Sequence, residues 1–190
     1  LDRQTIQRWP QSLLPLELIG SHVGPPHSHT TGRTHSLSFR AVTAMFGSFG
    51  IEWDIRRLDP AQFSELQQAV ALYKTHRALL HSGRAVHADL RDNAYRLQGV
   101  VAADGREALY SFSCLRSAED EVPGAVVLPG LDPQVRYRVE VVFPTGKMPY
   151  EQRDVLPWTV DSVIASGSFL SEVGLPMPIL RPENAIVLQV

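Results

Sequence analysis

Apolar positions follow helical spacing through most of the first 83 residues and strand-like alternation through the rest. Ile6 and Trp9 share a helical face, so the chain opens inside a helix. Pro10 is expected to end that helix, because an internal proline removes a donor and clashes with the preceding turn. Leu16 to Val23 is short and apolar and predicts a buried strand. Ser38 to Phe46 predicts a second helix, with Phe39, Val42, Met45 and Phe46 on one face. Gly47 to Asp54 is punctuated by glycine and reads as loop. Asp59-Pro60 marks the clearest helix start, an N-cap followed by proline at the first helical position. Its apolar stripe is Phe63, Leu66, Val70, Tyr73 and Leu80, and Gly83 is expected as a left-handed stop. Helix, strand, loop, helix is the order of a βα unit and suggests the closing part of an α/β layer or barrel.

Beyond Gly83, Tyr95 to Ala103 and Glu107 to Leu115 flank Asp104-Gly105, the signal of a two-residue hairpin. Ala125 to Leu128, Gln134 to Phe143, Asp161 to Phe169 and Ala185 to Val190 are further strand candidates. Val135, Tyr137, Val139, Val141 and Phe143 alternate with mostly polar neighbours, as a half-buried strand requires. The pattern predicts a small antiparallel β-sandwich over 84–190, with Lys147 to Pro157 as a mobile loop.

Composition narrows the possibilities. The chain has 190 residues and a net charge of −2, which gives no electrostatic case for nucleic acid or an anionic membrane as partner. No apolar run approaches the roughly 18 residues that span a bilayer. The single cysteine, Cys114, excludes an internal disulfide and favours a reducing compartment. Within an apparent strand it reads as a small packing residue rather than a nucleophile. The first residue is Leu1, and no signal-peptide pattern follows. The reading is a fragment of a longer protein, whose targeting segment would then be hidden.

Candidate chemistry concentrates in Gly20 to Arg33, where His22, His27 and His29 share a loop with glycines, a Pro25-Pro26 pair and Arg33. Imidazole is a common metal ligand, yet no cysteine or acid lies in this loop, so hydrogen bonding is the better expectation and no metal is assigned. His22 is either a satisfied strand histidine or a polar group at a strand's C-terminal end, where α/β barrels keep their sites. Arg33 could grip an anionic group with its planar fork or tie the loop to backbone carbonyls. Gly32 is expected at positive φ. No phosphate-loop, dinucleotide or G-x-S-x-G pattern exists. Glu52-Trp53-Asp54 reads as packing, and Glu119-Asp120-Glu121 as a solvated turn.

At these residues the chain resembles glycoside hydrolase family 36, the bacterial α-galactosidases. The likeness lies in Gly20-x-His22-Val23, His29-x-Thr31-Gly32-Arg33, Met45-Phe46-Gly47 and Phe49-Gly50-x-Glu52-x-Asp54. It continues through Tyr73-Lys74-x-His76-Arg77-x-Leu79-Leu80-His81-Ser82-Gly83, Leu128-Pro129-Gly130-Leu131-Asp132-Pro133, Tyr137-Arg138-Val139 and Gly174-Leu175-x-Met177-Pro178. The resemblance implies that 1–83 are the last segments of a (β/α)8 TIM barrel and 84–190 a C-terminal antiparallel β-sandwich domain. It implies a retaining mechanism with two carboxylates. The family's Lys-x-Asp nucleophile motif lies upstream, and its Ser-Asp-x-x-Asp acid/base motif should end near the start of this chain; neither occurs here, so no catalytic residue is assigned. Ser21, His22, His29, Thr31 and Arg33 are then expected to bind substrate or line the active-site wall. The implied substrate is an α-galactoside oligosaccharide such as raffinose or melibiose, without a cofactor. A cytoplasmic homo-oligomer, often a tetramer, is implied as well. Competing expectations are a raffinose-synthase-like transglycosylase, a non-catalytic carbohydrate-binding or structural β module, and a metal-binding protein using His22, His27 and His29.

Overall fold

The computed structural model describes residues 2–120, 122–145 and 155–190. Helix α1 runs Asp2–Leu13, straight through Pro10. A proline mid-helix removes one hydrogen bond, yet the helix continues past it, and Leu14 N–H donates to the Pro10 carbonyl at 2.7 Å. Ile6 and Trp9 point outward, 65% and 68% exposed. The inward stripe is instead glutamine. Gln4 donates to Thr43 Oγ1 (2.9 Å), Gln7 to Ser21 Oγ (2.6 Å) and Gln11 to the Phe46 carbonyl (2.6 Å).

The expected strand over Leu16–Val23 is shorter. Leu16–Leu18 is a 3-10 turn after Pro15, and β1 is Gly20–Val23. Helix α2, Leu37–Met45, starts at Ser36, whose side chain caps Phe39 N–H. The segment read as loop contains β2, Ser48–Ile51, parallel to β1 with Gly20 opposite Ser48 and His22 opposite Gly50. Glycines hid this strand, yet they let β2 lie against β1: a Cβ on Gly47 would meet the Ile19 carbonyl oxygen at 2.8 Å. The order β1–α2–β2 is a βαβ unit. Helix α3, Pro60–Ser82, has the expected start, elaborated into a capping box between Asp59 and Gln62. Its stop is not left-handed. Gly83 is extended (φ −81°), and glycine is needed for space, since a Cβ would lie 2.5 Å from Val100 Cγ1.

The remaining strands are β3 (Arg84–Ala88), β4 (Tyr95–Val101), β5 (Ala108–Cys114), β6 (Ala125–Val126), β7 (Arg136–Phe143), β8 (Val163–Ser166), β9 (Leu175–Pro176) and β10 (Asn184–Gln189). Among the described residues they make one six-stranded sheet, β3-β4-β5-β10-β7-β8, antiparallel throughout, and a separate β6-β9 ribbon. The expectation of a sandwich therefore becomes a single large sheet with a small ribbon. The β4–β5 connection is longer than two residues: the strands stop at Val101 and Ala108, and Gly105 takes φ +70° within the turn. The strand expected over Asp161–Phe169 ends early because Ser166 caps helix α4, Gly167–Glu172. Of the expected mobile loop, residues 147–154 lie outside the described residues; Pro157–Thr159 is a 3-10 turn.

Both faces of the sheet are covered. Tyr110, Phe112, Ile186 and Leu188 pack under the ribbon with Leu128, Leu170 and Trp158. Val100, Leu109, Phe143, Ala185 and Val187 join the core of α2 and α3, with Phe39, Met45, Leu66 and Leu80. Cys114 is a buried packing residue, its thiol pushed up in pKa by burial.

Candidate functional site

A cleft of about 360 Å³ opens where β1 and β2 end, bounded by the first turn of α1, the start of α2 and the 24–36 loop. The C-terminal ends of adjacent parallel strands are where α/β folds gather binding groups. The pleat sorts β1. Ser21 and Val23 are buried, while His22 stands toward the cleft. Ser21 thus lies beneath the site, bonded to Gln7 at 2.6 Å, and does not line it. Glu52 follows β2, and its N–H donates to the Val23 carbonyl (3.0 Å), which holds the two strand ends together. Glu52 Oε2 stands 3.8 Å from His22 Nδ1 and 3.8 Å from Arg3 Nη2. Arg3 also donates to the His22 carbonyl at 2.5 Å. Gly50 makes room for the imidazole, since a Cβ there would lie 2.5 Å from His22 Cδ2.

The 24–36 loop is a folded arm. His27 and Thr34 form an antiparallel bridge, and their side chains meet at 3.3 Å. Ser28 N–H donates to the Arg33 carbonyl and Gly32 N–H to the Ser28 carbonyl, both 2.9 Å. Gly32 takes φ +68°, as expected for this turn. His29, Thr31 and Arg33 stand exposed on the cleft side. Among the described residues the Arg33 guanidinium has no hydrogen-bond partner, so it remains free for a ligand. The carbonyl-tying role belongs to Arg40. From α2 it donates to the carbonyls of Gly24, His35 (3.3 Å) and Ser36 (3.2 Å), closing the neck of the arm. Its guanidinium lies 5.1 Å from the Trp53 ring centroid.

The described residues contain no cluster of three or more His, Cys, Asp or Glu able to hold a metal. Asp54 is turned to Arg56 (2.7 Å) and Arg57, and the Arg56 hydrogen bond holds its carboxyl below the usual range. Arg3 and Arg40 have no signal in spacing, and Glu52, read as packing, is exposed at the cleft. Only the parallel pairing of β1 with β2 and the fold of α1 over their ends bring them to His22.

Residues 1–83 match the Melibiase family model, and residues 96–187 match the model of the glycosyl hydrolase family 36 C-terminal domain. This chain belongs to glycoside hydrolase family 36. Within the family, an alpha-galactosidase from Escherichia coli is 36% identical over 193 residues, covering 99% of this chain and 27% of that protein. A variant of the family 36 alpha-galactosidase AgaA from Geobacillus stearothermophilus, solved in complex with raffinose, superposes with a TM-score of 0.77 at 26% identity; the match covers 98% of this chain and 24% of AgaA. The Lactobacillus brevis alpha-galactosidase has the same fold, with a TM-score of 0.78 at 22% identity. This family 36 chain spans about a quarter of the length of these relatives.

Proposed function

We propose that this chain is the C-terminal part of a retaining α-galactosidase, and that its cleft is one wall of the galactoside site. One observation carries the reading. The first turn of α1, Asp2 and Arg3, lines the same cleft as His22 and Glu52, so residues preceding α1 in a longer protein would reach this cleft. The resemblance expects the acid/base motif there, and the nucleophile further upstream. In this reading residues 1–83 supply the last βα segments of the barrel, and 84–190 form the C-terminal β domain. Two further features support it. Among the described residues β1 and β2 pair only with each other, and Ile6, Trp9 and Leu13 leave an apolar outer side on α1; barrel neighbours would satisfy both.

The upstream carboxylates would perform displacement and proton transfer, and the residues of this chain would bind and orient the sugar. His22, His29, Thr31 and Arg33 offer imidazole, hydroxyl and guanidinium groups suited to neutral hydroxyls. Glu52 stands 3.8 Å from both His22 and Arg3 at the same wall. No cofactor is required. The described residues contain no helix long and apolar enough to cross a membrane. A cytoplasmic tetramer is the assembly that the resemblance suggests.

The test is steady-state hydrolysis of raffinose by the complete protein carrying this chain. His22→Ala and His29→Ala should each lower kcat/KM by about tenfold or more, with the melting temperature little changed. Wild-type kcat and KM in both variants would overturn the assignment of the cleft.

A further inference from the structure

His35 closes the arm. Its N–H donates to the Pro26 carbonyl (3.0 Å), its carbonyl accepts from Arg40, and its ring stacks on Phe39 with centroids 5.5 Å apart. The side chain is only 11% exposed, and the buried Nε2 makes no hydrogen bond. It lies 3.3 Å from Glu183 Oε2, and Arg33 and Arg40 also bear on the ring. Glu183 comes from the opposite end of the chain, in the turn that leads into β10.

The backbone of that turn is unusual. Glu183 has φ +60°, the sole non-glycine residue in the left-handed region among the described residues. Its N–H is tied to the Cys114 carbonyl at 2.8 Å, so the sheet fixes the turn. Glycine would adopt this conformation without strain. A glutamate held there has a side chain with work to do, and its carboxylate ends on His35.

We propose that Glu183 is a positioning residue for the cleft: the C-terminal sheet reaches across to hold His35, and through it sets where His29, Thr31 and Arg33 stand. This gives the β domain a part in substrate binding without contact to sugar. The inference rests on the galactosidase reading only for its kinetic consequence.

Glu183→Gly keeps the turn and removes the side chain, while Glu183→Gln keeps a side chain of the same shape against the ring without its charge. Both variants are made in the complete protein, with amide hydrogen exchange followed at Ser28, Gly32 and His35 and raffinose kinetics measured alongside. Glu183→Gly should speed exchange in the arm by about tenfold and raise KM about fivefold, with kcat within about twofold of wild type. Glu183→Gln should stay near wild type in both. Wild-type exchange in Glu183→Gly, or equal impairment of the two variants, overturns the proposal. Faster exchange in a protein that cleaves no α-galactoside would leave Glu183 as assigned and sink the galactosidase reading. Unchanged exchange in an active enzyme would do the reverse.

Discussion

His22 owes its place to an atom that is missing. Opposite it, Gly50 leaves the space that the ring fills, and a Cβ at 2.5 Å from Cδ2 is incompatible with that rotamer. Gly50→Ala should therefore turn the half-exposed His22 ring out of the cleft and lower kcat/KM of the complete protein as His22→Ala does. Neither effect would appear if the ring simply slid aside. Two histidines predict a pH response. Burial pushes both His35 and His87 below the ordinary 6.5, with Arg33 and Arg40 beside His35 and Arg8 and Arg96 beside His87 acting in the same sense. Glu183 and Asp89 pull the other way. Between the folded value and 6.5 only the unfolded chain takes up the proton. Stability should thus fall as pH drops through 6.5 and level off above it. Thermal melts from about pH 8 to pH 5 should show this slope, shallower in His87→Phe. An unchanged slope in that variant would remove His87 as a source. That His22, His29, Thr31 and Arg33 lie together was legible in residue types and spacing. The inward turn of Ser21 was not, since only the register of β1 decides which neighbour faces the cleft.

Local signals read well where the local chain controls the outcome. Asp59, Pro60 and Gln62 wrote the start of α3 in adjacent residues, and the capping box follows. Asp59→Ala should lose about 1 kcal/mol, read as a lower urea midpoint without a change in slope. Signals failed where a distant partner decides. Pro10 did not end α1 because Gln4, Gln7 and Gln11 anchor both sides of it to α2, β1 and the Phe46 carbonyl. Polar glutamines carry no hydrophobic pattern, so the buried side of α1 was invisible and its exposed Ile6 and Trp9 were conspicuous. β2 was missed for a related reason. It is short and glycine-punctuated, and exists as a strand through its parallel pairing with β1.

Between them, α2, α3 and the sheet share one core. Phe143, Val187, Leu109 and Val100 bury against Phe39, Met45, Leu66 and Leu80, so the helices cover an apolar sheet face. This shared packing argues against either part folding alone. Expressed by itself, 84–190 should bind a hydrophobic dye and self-associate, and 1–83 should show no cooperative melt. A monomeric, cooperative 84–190 would show that the shared core is dispensable. Two-sided burial also explains the expectation of a sandwich: β5 buries Tyr110 and Phe112 on one face and Leu109, Ser111 and Ser113 on the other, and periodicity does not say whether helices or strands cover each face. If the cleft beside His22 and Glu52 is one wall of a galactoside site completed by preceding chain, a crystal structure of the complete protein with raffinose bound decides it. Galactose should then sit in this cleft, hydrogen-bonded to at least one of His22, His29, Thr31 and Arg33, with two carboxylates from upstream residues roughly 5 Å apart at its anomeric carbon. Galactose bound elsewhere, with this cleft holding only water, would contradict it.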